Sequence, residues 1–464
     1  MFIGRERELE MLGRRYHSGK FEFVVIYGRR RVGKTALIDE FAKGKDVIFF
    51  TGVESNEKQN LDNLSASIAE YSTGIPTGSS FPTFQAALEH VFALAEERRV
   101  VLVMDEYPYV ARASGSLAST LQLLIDRNKD TSKLFLILCG SSMSYMEDHV
   151  LAYKAPLYGR RTAQLKVEPF DFFEAQRYFS HLSDEDKALA YGIVGGTPQY
   201  LGQIDDRLSM EDNIKNLYLN PTSAIFEEPL NLLKQEVREP AIYNAIITAI
   251  ASGCSKMNEI STKISENTGV CASYIKNLIA LGIVKKESPY GEKPGRKTIY
   301  SVGDNMFRFW YRFVPENASV ISRGAADLAY RRIAPELSAY MGGVFEEICR
   351  QYLWRLLLAG ECVVNFSDIG RFWGTNPKTH RQEEIDIMGA DRGSVLLCEC
   401  KWTGEKVDAG VLETLTARSE LFHYKETHFY LFSKSGFTKS CEKAAAERGN
   451  VTLISYADML CRFG

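Results

Sequence analysis

Short apolar segments alternate with amphipathic ones over the first 200 residues. Four apolar runs, rich in β-branched and aromatic residues, predict buried strands, and the segments between them predict helices. The runs are residues 23–27, 47–50, 100–105 and 134–139, and the helices include residues 57–71, 84–97 and 117–127. Strands that are apolar on both faces and separated by helices indicate a parallel sheet covered on both sides.

The pattern changes along the rest of the chain. Residues 184–235 predict helices alone, 240–303 predict three helices and then two strands, and the last 120 residues return to a mixed α/β pattern. The strands predicted there are residues 384–388, 395–400 and 428–432. We therefore predict an α/β fold in five parts. These are a parallel-sheet core (1–180), a helical lid (181–236), three helices with a hairpin (237–303), a helical linker (304–334) and an α/β domain (335–464).

Composition narrows the class of protein. A chain of 464 residues with 45% hydrophobic and 11% aromatic residues is typical of folded domains and excludes global disorder. No apolar run approaches the length of a transmembrane helix, and the first ten residues do not resemble a signal peptide. Nine scattered cysteines without a Cys-x-x-Cys pair suit reduced thiols in a cytoplasmic protein and argue against a zinc site. The net charge of −3 means that a nucleic-acid partner would need a local basic region.

A glycine-rich loop follows the first predicted strand and opens the first helix of the core. Residues 28–35 read GRRRVGKT and match the pattern GxxxxGK[ST]. In this context backbone N–H groups and the helix N-terminus can surround phosphates. Lys34 is then placed to reach the β- and γ-phosphates of a nucleotide such as ATP, and the Thr35 hydroxyl to bind Mg²⁺. The predicted nucleotide-binding residues are Gly28, Arg29, Arg30, Arg31, Val32, Gly33, Lys34, Thr35 and Ala36.

Acidic, hydroxyl and basic residues follow the later strands of the core. Asp105 ends the strand VVLVMD and is predicted to bind Mg²⁺, while Glu106 would polarise the attacking water unless it only caps the next segment. Ser141 ends another strand and either orients water or belongs to a plain turn. Arg160 and Arg161 are candidates for an arginine finger, with an exposed basic loop as the alternative.

Six segments in this order resemble the archaeal-type ATPases of the AAA+ and STAND branch of P-loop proteins. They are FIGRERELEML, YGRRRVGKT, VVLVMDEY, CGSS, PLYGRR and GGTPQYL, spread over residues 2–201. The resemblance implies ATP binding and hydrolysis, with Ile3, Gly4, Arg5 and Glu6 near the adenine. It also implies that Gly195–Pro198 stands in the lid where related proteins carry a sensor arginine. Assembly into a homo-oligomer, and the action of an arginine finger in cis or in trans, stay open.

Residues 237–303 favour a winged helix-turn-helix, since a hairpin with a Gly- and Pro-rich tip follows three helices. The third helix could then enter a major groove of DNA; the alternative is a module that binds a protein partner. Eight basic residues and only three acidic ones lie in the stretch that begins at this third helix, which supports phosphate contacts. The basic residues are Lys276, Lys285, Lys286, Lys293, Arg296, Lys297, Arg308 and Arg312, and the acidic ones are Glu287, Glu292 and Asp304.

Two predicted strands near the C-terminus carry a carboxylate cluster. Asp386 lies on the first, and Glu399 and Lys401 lie on one face of the second, across a hairpin at residues 391–393. Two carboxylates and a lysine on one face can hold Mg²⁺ and activate water beside a phosphodiester. We expect Trp373 and Trp402 to pack in the core rather than stack on bases.

Residues 335–464 resemble the PD-(D/E)XK nuclease superfamily, and with the ATPase segments they resemble archaeal-type ATPases that carry a nuclease-like domain of unknown function. The resemblance implies a restriction-endonuclease-like α/β domain in which Glu346, Asp386 and Glu399 bind Mg²⁺ or Mn²⁺. It also implies that Lys401 positions or activates the water. Glu384 and Ile385 stand where the superfamily often has proline. The alternative is an inactive domain in a nucleotide-switched regulator that recruits a protein partner.

Overall fold

The structure is a computed structural model that describes residues 2–76 and 79–464. The chain forms two compact units, Met1–Pro169 with Thr197–Gln199, and Phe170–Gly196 with Tyr200–Gly464. Each unit contains its own sheet and its own hydrophobic clusters. Among the residues that the structure describes, no helix combines the length and the apolar character needed to cross a membrane.

The first unit consists of a five-stranded sheet and the helices that cover it. The strands are β1 (Glu22–Tyr27), β2 (Val47–Thr51), β3 (Val101–Asp105), β4 (Phe135–Gly140) and β5 (Ala163–Lys166). The helices are α1 (Glu6–Tyr16), α2 (Lys34–Ala42), α3 (Glu57–Thr73), α4 (Phe84–Glu97), α5 (Tyr107–Ala113), α6 (Leu117–Asn128) and α7 (Met143–Tyr145), followed by a π-helical turn at Met146–Leu151.

All pairs in this sheet are parallel, in the order β2-β3-β4-β1-β5. Every residue of β1, β3 and β4 is buried, because helices cover both faces with separate apolar clusters. The prediction of a parallel α/β core is therefore confirmed. Since parallel strands end at one edge of a sheet, the segments after β1, β3 and β4 lie together at the carboxyl edge.

The chain after β5 contributes fourteen further helices and seven strands within its described residues. The helices are α8 (Phe172–Ala175), α9 (Asp184–Val194), α10 (Pro198–Leu201), α11 (Met210–Tyr218), α12 (Glu228–Glu236), α13 (Pro240–Ala251), α14 (Met257–Lys263), α15 (Thr268–Ala280), α16 (Asn305–Ile321), α17 (Ala326–Ile333), α18 (Leu337–Leu358), α19 (Ala409–Ser419), α20 (Lys439–Arg448) and α21 (Tyr456–Phe463). The strands are β6 (Val284–Glu287), β7 (Ile299–Val302), β8 (Ile369–Thr375), β9 (Gln382–Ala390), β10 (Ser394–Lys401), β11 (Glu426–Ser433) and β12 (Val451–Ser455).

Helices α13, α14 and α15 precede a two-stranded antiparallel sheet, β6 and β7, in which Val284 lies opposite Val302. Ile260, Ile275 and Leu278 bury the inner faces of α14 and α15. These are the elements that the sequence predicts for residues 237–303.

Residues 304–334 do not form a linker, and the prediction of one is wrong. Helix α16 has fully buried Phe307 and Phe309, and its Asn305 side chain donates a hydrogen bond to the Tyr191 carbonyl of α9 (3.0 Å). Aromatic residues along this helix need a partner surface, and the helices predicted as a lid supply it. The segment is thus part of the core of the second unit.

The C-terminal sheet is mixed, in the order β12-β11-β10-β9-β8. Strands β8, β9 and β10 pair antiparallel, whereas β10, β11 and β12 pair parallel. Helix α18 packs on one face of the sheet and α19 on the other, so that two apolar clusters enclose it. The predicted strands at residues 384–388, 395–400 and 428–432 correspond to β9, β10 and β11.

Candidate functional sites

The loop after β1 is shaped by two glycines. A Cβ atom on Gly28 would lie 2.3 Å from the Val167 carbonyl oxygen, and Gly33 has φ +86°, which glycine adopts without strain. Helix α2 then begins at Lys34, whose Nζ donates to the carbonyls of Gly28 (2.8 Å) and Arg29 (3.0 Å). The lysine ammonium group is therefore held inside the loop, next to the helix N-terminus.

Side chains from α2, β3 and β4 meet beside this loop. The Thr35 hydroxyl donates to Asp105 Oδ2 (2.8 Å), which brings together the two predicted Mg²⁺ ligands. Glu106 has φ +48°, and its carboxylate accepts from the hydroxyl (2.8 Å) and N–H (3.3 Å) of Ser141. Glu106 therefore contacts Ser141 and makes no side-chain cap bond to α5. A hydroxyl and a carboxylate are the hard oxygen ligands that suit Mg²⁺.

Three neighbouring residues were not predicted. Asp39 lies one helical turn after Thr35 on α2, and burial together with the charge of Asp105 raises the pKa of Asp39. Helix α5 carries Tyr109, whose hydroxyl accepts from the Arg30 guanidinium (2.8 Å), and Arg112, which stacks over Tyr145. The i, i+4 spacing from Thr35 could have identified Asp39, but the α5 residues have no local signal.

Arg160 lies at the opposite edge of the sheet from the loop. Its guanidinium donates to both carboxylate oxygens of Asp126 (3.0 and 2.6 Å), and Thr162 nearby accepts from the Phe23 N–H at the start of β1. The six residues of β1, roughly 20 Å of strand, separate this edge from the loop. Arg160 therefore cannot act as an arginine finger in cis, and only action in trans stays a prediction.

Arg161 makes different contacts, and its guanidinium donates to the Leu151 carbonyl (3.5 Å). It belongs to the charged groups that act on Tyr27, the last residue of β1, where burial and then the charge of Glu147 raise the pKa of the phenol. The same guanidinium stacks over Tyr158. The predicted role of Arg161 as an arginine finger stays a prediction.

Arg5 of the N-terminal motif contacts the phosphate loop and the segment after β5. Arg5 is 4% exposed, and its guanidinium donates to the carbonyls of Val32 (3.1 Å) and Glu168 (2.6 Å). Gly4 and Arg5 both have positive φ, which turns the chain into α1. The proposed adenine contact of this segment stays a prediction.

The segment 197–199 also belongs to the first unit. The Thr197 hydroxyl accepts from the Arg29 guanidinium (3.2 Å), and Pro198 Cγ lies 3.5 Å from the position of a Cβ on Gly33. Thr197 and Pro198 thus contact the phosphate loop, although the lid helices belong to the other unit.

The C-terminal acids come together where β9 and β10 diverge. Regular pairing of these strands ends at Ile387 and Cys398, and Asp386 Oδ2 instead accepts from the Cys400 N–H (2.8 Å). Glu399 accepts from Lys401 Nζ (2.7 Å) and from the Arg418 guanidinium (3.2 Å). Arg418, on α19, was not predicted, since nothing in the local sequence links it to β10.

Electrostatics couples these groups. Burial, followed by the charges of Glu399 and Glu346, raises the pKa of Asp386 to about 7. Burial also raises the pKa of Glu346, against the opposing charge of Arg371. Burial lowers the pKa of Lys401, but the hydrogen bond to Glu399 and the charges of Glu399 and Asp386 together raise it more, so that the net direction is upward. Burial and the neighbouring carboxylates thus both favour the protonated form of Asp386.

The acids do not converge on a single point. In residues 2–76 and 79–464, no group of three or more His, Cys, Asp or Glu side chains is placed to hold a metal ion. In this conformation Lys401 and Arg418 hold the Glu399 carboxylate, and the ligand set of Glu346, Asp386 and Glu399 stays a prediction. At the phosphate loop a group of three protein ligands is not expected, because Mg²⁺ there takes one or two protein ligands and completes its coordination with phosphate oxygens.

The two C-terminal tryptophans differ in environment. Trp402 is buried against Phe345 and Tyr456, with ring centroids 5.1 and 5.4 Å apart. Trp373 is only partly buried and lines a cleft, so its predicted core role is wrong.

Half of the basic residues of this stretch are both exposed and free of ion pairs. Lys285, Lys297 and Arg312 pair with Glu287, Glu292 and Glu336. Within the described part of the chain, four exposed basic residues of the stretch form no ion pair. They are Lys276, Lys286, Lys293 and Arg296.

Comparisons with known proteins identify two matching families and several relatives. Residues 2–204 match the family described as an ATPase domain predominantly from Archaea, and residues 310–411 match the family described as Archaea bacterial proteins of unknown function. An uncharacterized protein of Methanocaldococcus jannaschii is 30% identical over 408 residues, or 87% of this chain and 88% of that protein. An uncharacterized ATP-binding protein of Pyrococcus abyssi is 24% identical over 285 residues, or 52% of this chain and 83% of that protein.

A solved structure supports the fold. The Walker-type ATPase of Pyrococcus abyssi matches with a TM-score of 0.51 and 18% identity, over 67% of this chain and 96% of that one. Because the relative from Methanocaldococcus jannaschii aligns over most of both chains, and the phosphate loop and its acidic partners lie in the matched domain, the chain belongs to this family of P-loop ATPases found predominantly in Archaea.

Proposed function

We propose that this protein hydrolyses ATP with Mg²⁺ at the phosphate loop and couples the nucleotide state to DNA binding and phosphodiester cleavage by its second unit. The observation that carries the ATPase proposal is the contact of Thr35 with Asp105, with Glu106 adjacent and held by Ser141. Hydrolysis needs a Mg²⁺ site and a water-activating carboxylate side by side.

Each residue has a distinct task in this proposal. The loop N–H groups and Lys34 bind the phosphates, and Thr35 and Asp105 would hold Mg²⁺, which neutralises charge on the β- and γ-phosphates. Glu106 orients a water molecule and takes its proton. The Ser141 hydroxyl fixes the Glu106 carboxylate and leaves its second oxygen for the water.

Lys34→Ala tests nucleotide binding. Removal of a charge-assisted contact to phosphate is expected to weaken ATP binding about 10- to 100-fold and to abolish measurable turnover. Calorimetric titration with ATP and a phosphate-release assay measure both. Lys20→Ala, on the exposed turn before β1, is the matched control. Undiminished ATP hydrolysis by Lys34→Ala would remove the assignment of the loop.

Cleavage by the second unit rests on a different observation. Asp386, Glu399 and Lys401 lie together at the divergence of β9 and β10, near enough for the acids to raise the pKa of Asp386. Carboxylate oxygens fit Mg²⁺ or Mn²⁺, which would supply an activated water and a charge on the phosphodiester. In the state that binds the metal, we expect Glu399 to release Arg418 and Lys401 to contact the water.

A cleavage assay tests this part. Wild-type protein with Mg²⁺ or Mn²⁺, with and without ATP, is incubated with plasmid, linear duplex and single-stranded DNA. Asp386→Ala and Lys401→Ala are expected to lose cleavage, because one removes a metal ligand and the other a positioned cation, while Lys406→Ala, exposed after β10, retains it. If wild-type protein leaves every DNA form intact, the cleavage proposal is wrong.

The second candidate function is a nucleotide-switched regulator with an inactive C-terminal domain. It is favoured by the ion pairs that Glu399 forms with Lys401 and Arg418, which leave the acids without a common metal position. In that case helices α13–α15 and their hairpin act as a winged helix-turn-helix that recruits a protein partner or a second copy of the chain. A DNA affinity that does not change with salt would favour this candidate.

A further inference from the structure

A cleft of about 410 Å³ lies in the second unit, between the β6–β7 hairpin and strands β8 and β9. Its lining combines basic side chains from both walls with one acid and one indole ring. The basic residues are Lys256, Arg296, Lys297 and Arg371, the acid is Glu384 and the indole is Trp373. The cleft is therefore positively charged and has an aromatic wall.

Tyr290 fixes the two walls relative to each other. Its N–H donates to the Arg371 carbonyl (2.9 Å), and its hydroxyl accepts from the Ala390 N–H (2.9 Å). The same hydroxyl donates to the Asp368 carbonyl (3.4 Å). The hairpin loop is thus bonded to β9 and to the segment around the start of β8, so the cleft is a built feature of the fold.

Two of the cations are available for a ligand. Arg371 is neutralised by Glu384, and Lys297 by Glu292. Lys256 and Arg296 are exposed, and neither forms an ion pair with any residue of the described ranges. The charge of Lys256 acts on Glu259 of α14, but no carboxylate lies within ion-pair distance of either cation in the described ranges. Positive side chains without such ion pairs, in a cleft rather than on a convex surface, favour a polyanionic occupant.

The indole ring of Trp373 indicates which kind of polyanion the cleft binds. Trp373 lies opposite Glu384 in the β8–β9 pairing and is half-buried in the cleft lining. An aromatic side chain beside phosphate-binding cations is the arrangement with which proteins bind single strands, by stacking on a base. In a duplex the base faces are already stacked on one another, so a ring inside a cleft reaches only unpaired bases.

Strand β9 carries residues of both the cleft and the carboxylate site. Asp386 follows Glu384 by two residues of β9, which places it on the same face and roughly 7 Å further along the strand. That distance is about one or two nucleotides. The Arg371 guanidinium pairs with Glu384, and the charges of Glu346 and Asp386 also act on it.

We propose that this cleft binds single-stranded nucleic acid, with a base stacked on Trp373 and phosphates held by Lys256 and Arg296, and directs the strand toward Asp386. The inference rests on the proposed function, because it names the substrate class of the carboxylate site. In this proposal the cleft binds the unpaired strand, and helix α15 binds any duplex.

Binding in EDTA tests the cleft separately from cleavage. Fluorescence anisotropy is measured with labelled oligodeoxythymidine and oligouridine of about 12 nucleotides, and with a duplex of similar length. Trp373→Ala is expected to weaken single-strand binding about 5- to 150-fold, and Trp373→Phe to retain most of it. The Lys256→Ala/Arg296→Ala double variant is expected to reduce the slope of log K against log salt by about 1.4.

Matched variants make the result specific. Lys443→Ala, on the exposed face of α20, is expected to bind as the wild type does. Lys276→Ala, on α15, is expected to affect only the duplex. The affinities for oligodeoxythymidine and oligouridine are then compared. The polymer that binds more tightly, and loses this affinity in Trp373→Ala, identifies the substrate as DNA or RNA. Because Arg296 lies in an exposed turn, its variant remains informative even if Trp373→Ala fails to fold.

The failures of the two proposals are distinguishable. Wild-type affinity for single strands in both the Trp373→Ala and the double variant overturns the cleft assignment, even if DNA is cleaved. Equal losses for duplex and single strand overturn the assignment to unpaired bases. Loss of single-strand binding in these variants, in a protein that cleaves no DNA, supports the cleft and refutes the cleavage proposal.

Discussion

Glu106→Gln is expected to lower the turnover number for ATP hydrolysis by about 10²- to 10⁴-fold, while ATP affinity changes by no more than a few fold. Glutamine keeps the size of the side chain and can still bond to Ser141, but it cannot accept a proton from water. The left-handed backbone at Glu106 is unchanged, so the substitution alters chemistry rather than geometry. Phosphate release and calorimetric ATP titration on the same preparation separate the two quantities.

Two further variants show whether the loss of turnover is specific to the Glu106 carboxylate. Ser141→Ala is expected to reduce turnover less than Glu106→Gln, because it removes only the bond that fixes the carboxylate. Glu97→Gln, at the exposed end of α4, is expected to have no effect. If Glu106→Gln hydrolyses ATP at the wild-type rate, Glu106 is not the base.

Asp386→Asn is expected to stabilise the protein at pH 8 and to leave its stability nearly unchanged at pH 4. The folded state raises the pKa of Asp386 to about 7, whereas an unfolded chain has an ordinary aspartate pKa near 3.9. The folded state therefore holds this proton more tightly, and wild-type stability falls as the pH rises from about 4 to 7. The full cost is reached above pH 7 and is on the order of 4 kcal/mol, since each pKa unit corresponds to about 1.4 kcal/mol.

Denaturant unfolding of both proteins at pH 4, 6 and 8, in EDTA, measures this effect. The difference between variant and wild type is expected to grow through the range of pH 4 to 7 and then level off. Glu413→Gln, exposed on α19, provides the control for removal of a surface carboxylate. A difference that is independent of pH would contradict the assignment of a buried, proton-binding Asp386. A stabilised variant that has lost cleavage would indicate that the acid is kept for function rather than for folding.

The core sheet and the phosphate loop could be predicted because their determinants are local. Strands β1, β3 and β4 are buried on both faces and therefore read as continuous apolar runs. The loop needs glycine at positions that a contiguous motif specifies. Strand β5 was missed because its half-buried residues alternate with exposed ones and form no apolar run.

The other site features depend on distant contacts. Arg418 meets Glu399 only through the packing of α19 on β10, and the cleft at Trp373 exists only because the β6–β7 hairpin contacts β8. The position of Arg160 depends on the parallel pairing of β1 and β5. Sequence spacing carries no information on such pairs, which explains the errors for the linker and Trp373.

The apolar residues of α16 belong to one continuous cluster that runs from Phe170 to Met459. Because the lid helices, the three-helix region and one face of the C-terminal sheet share this interior, none of them can lose its structure without exposing the others to water. The second unit is therefore expected to unfold as a single cooperative body. The cleft at Trp373 and the carboxylate site at Asp386 are thus expected to lose their structure together, since both lie in the unit that shares this interior.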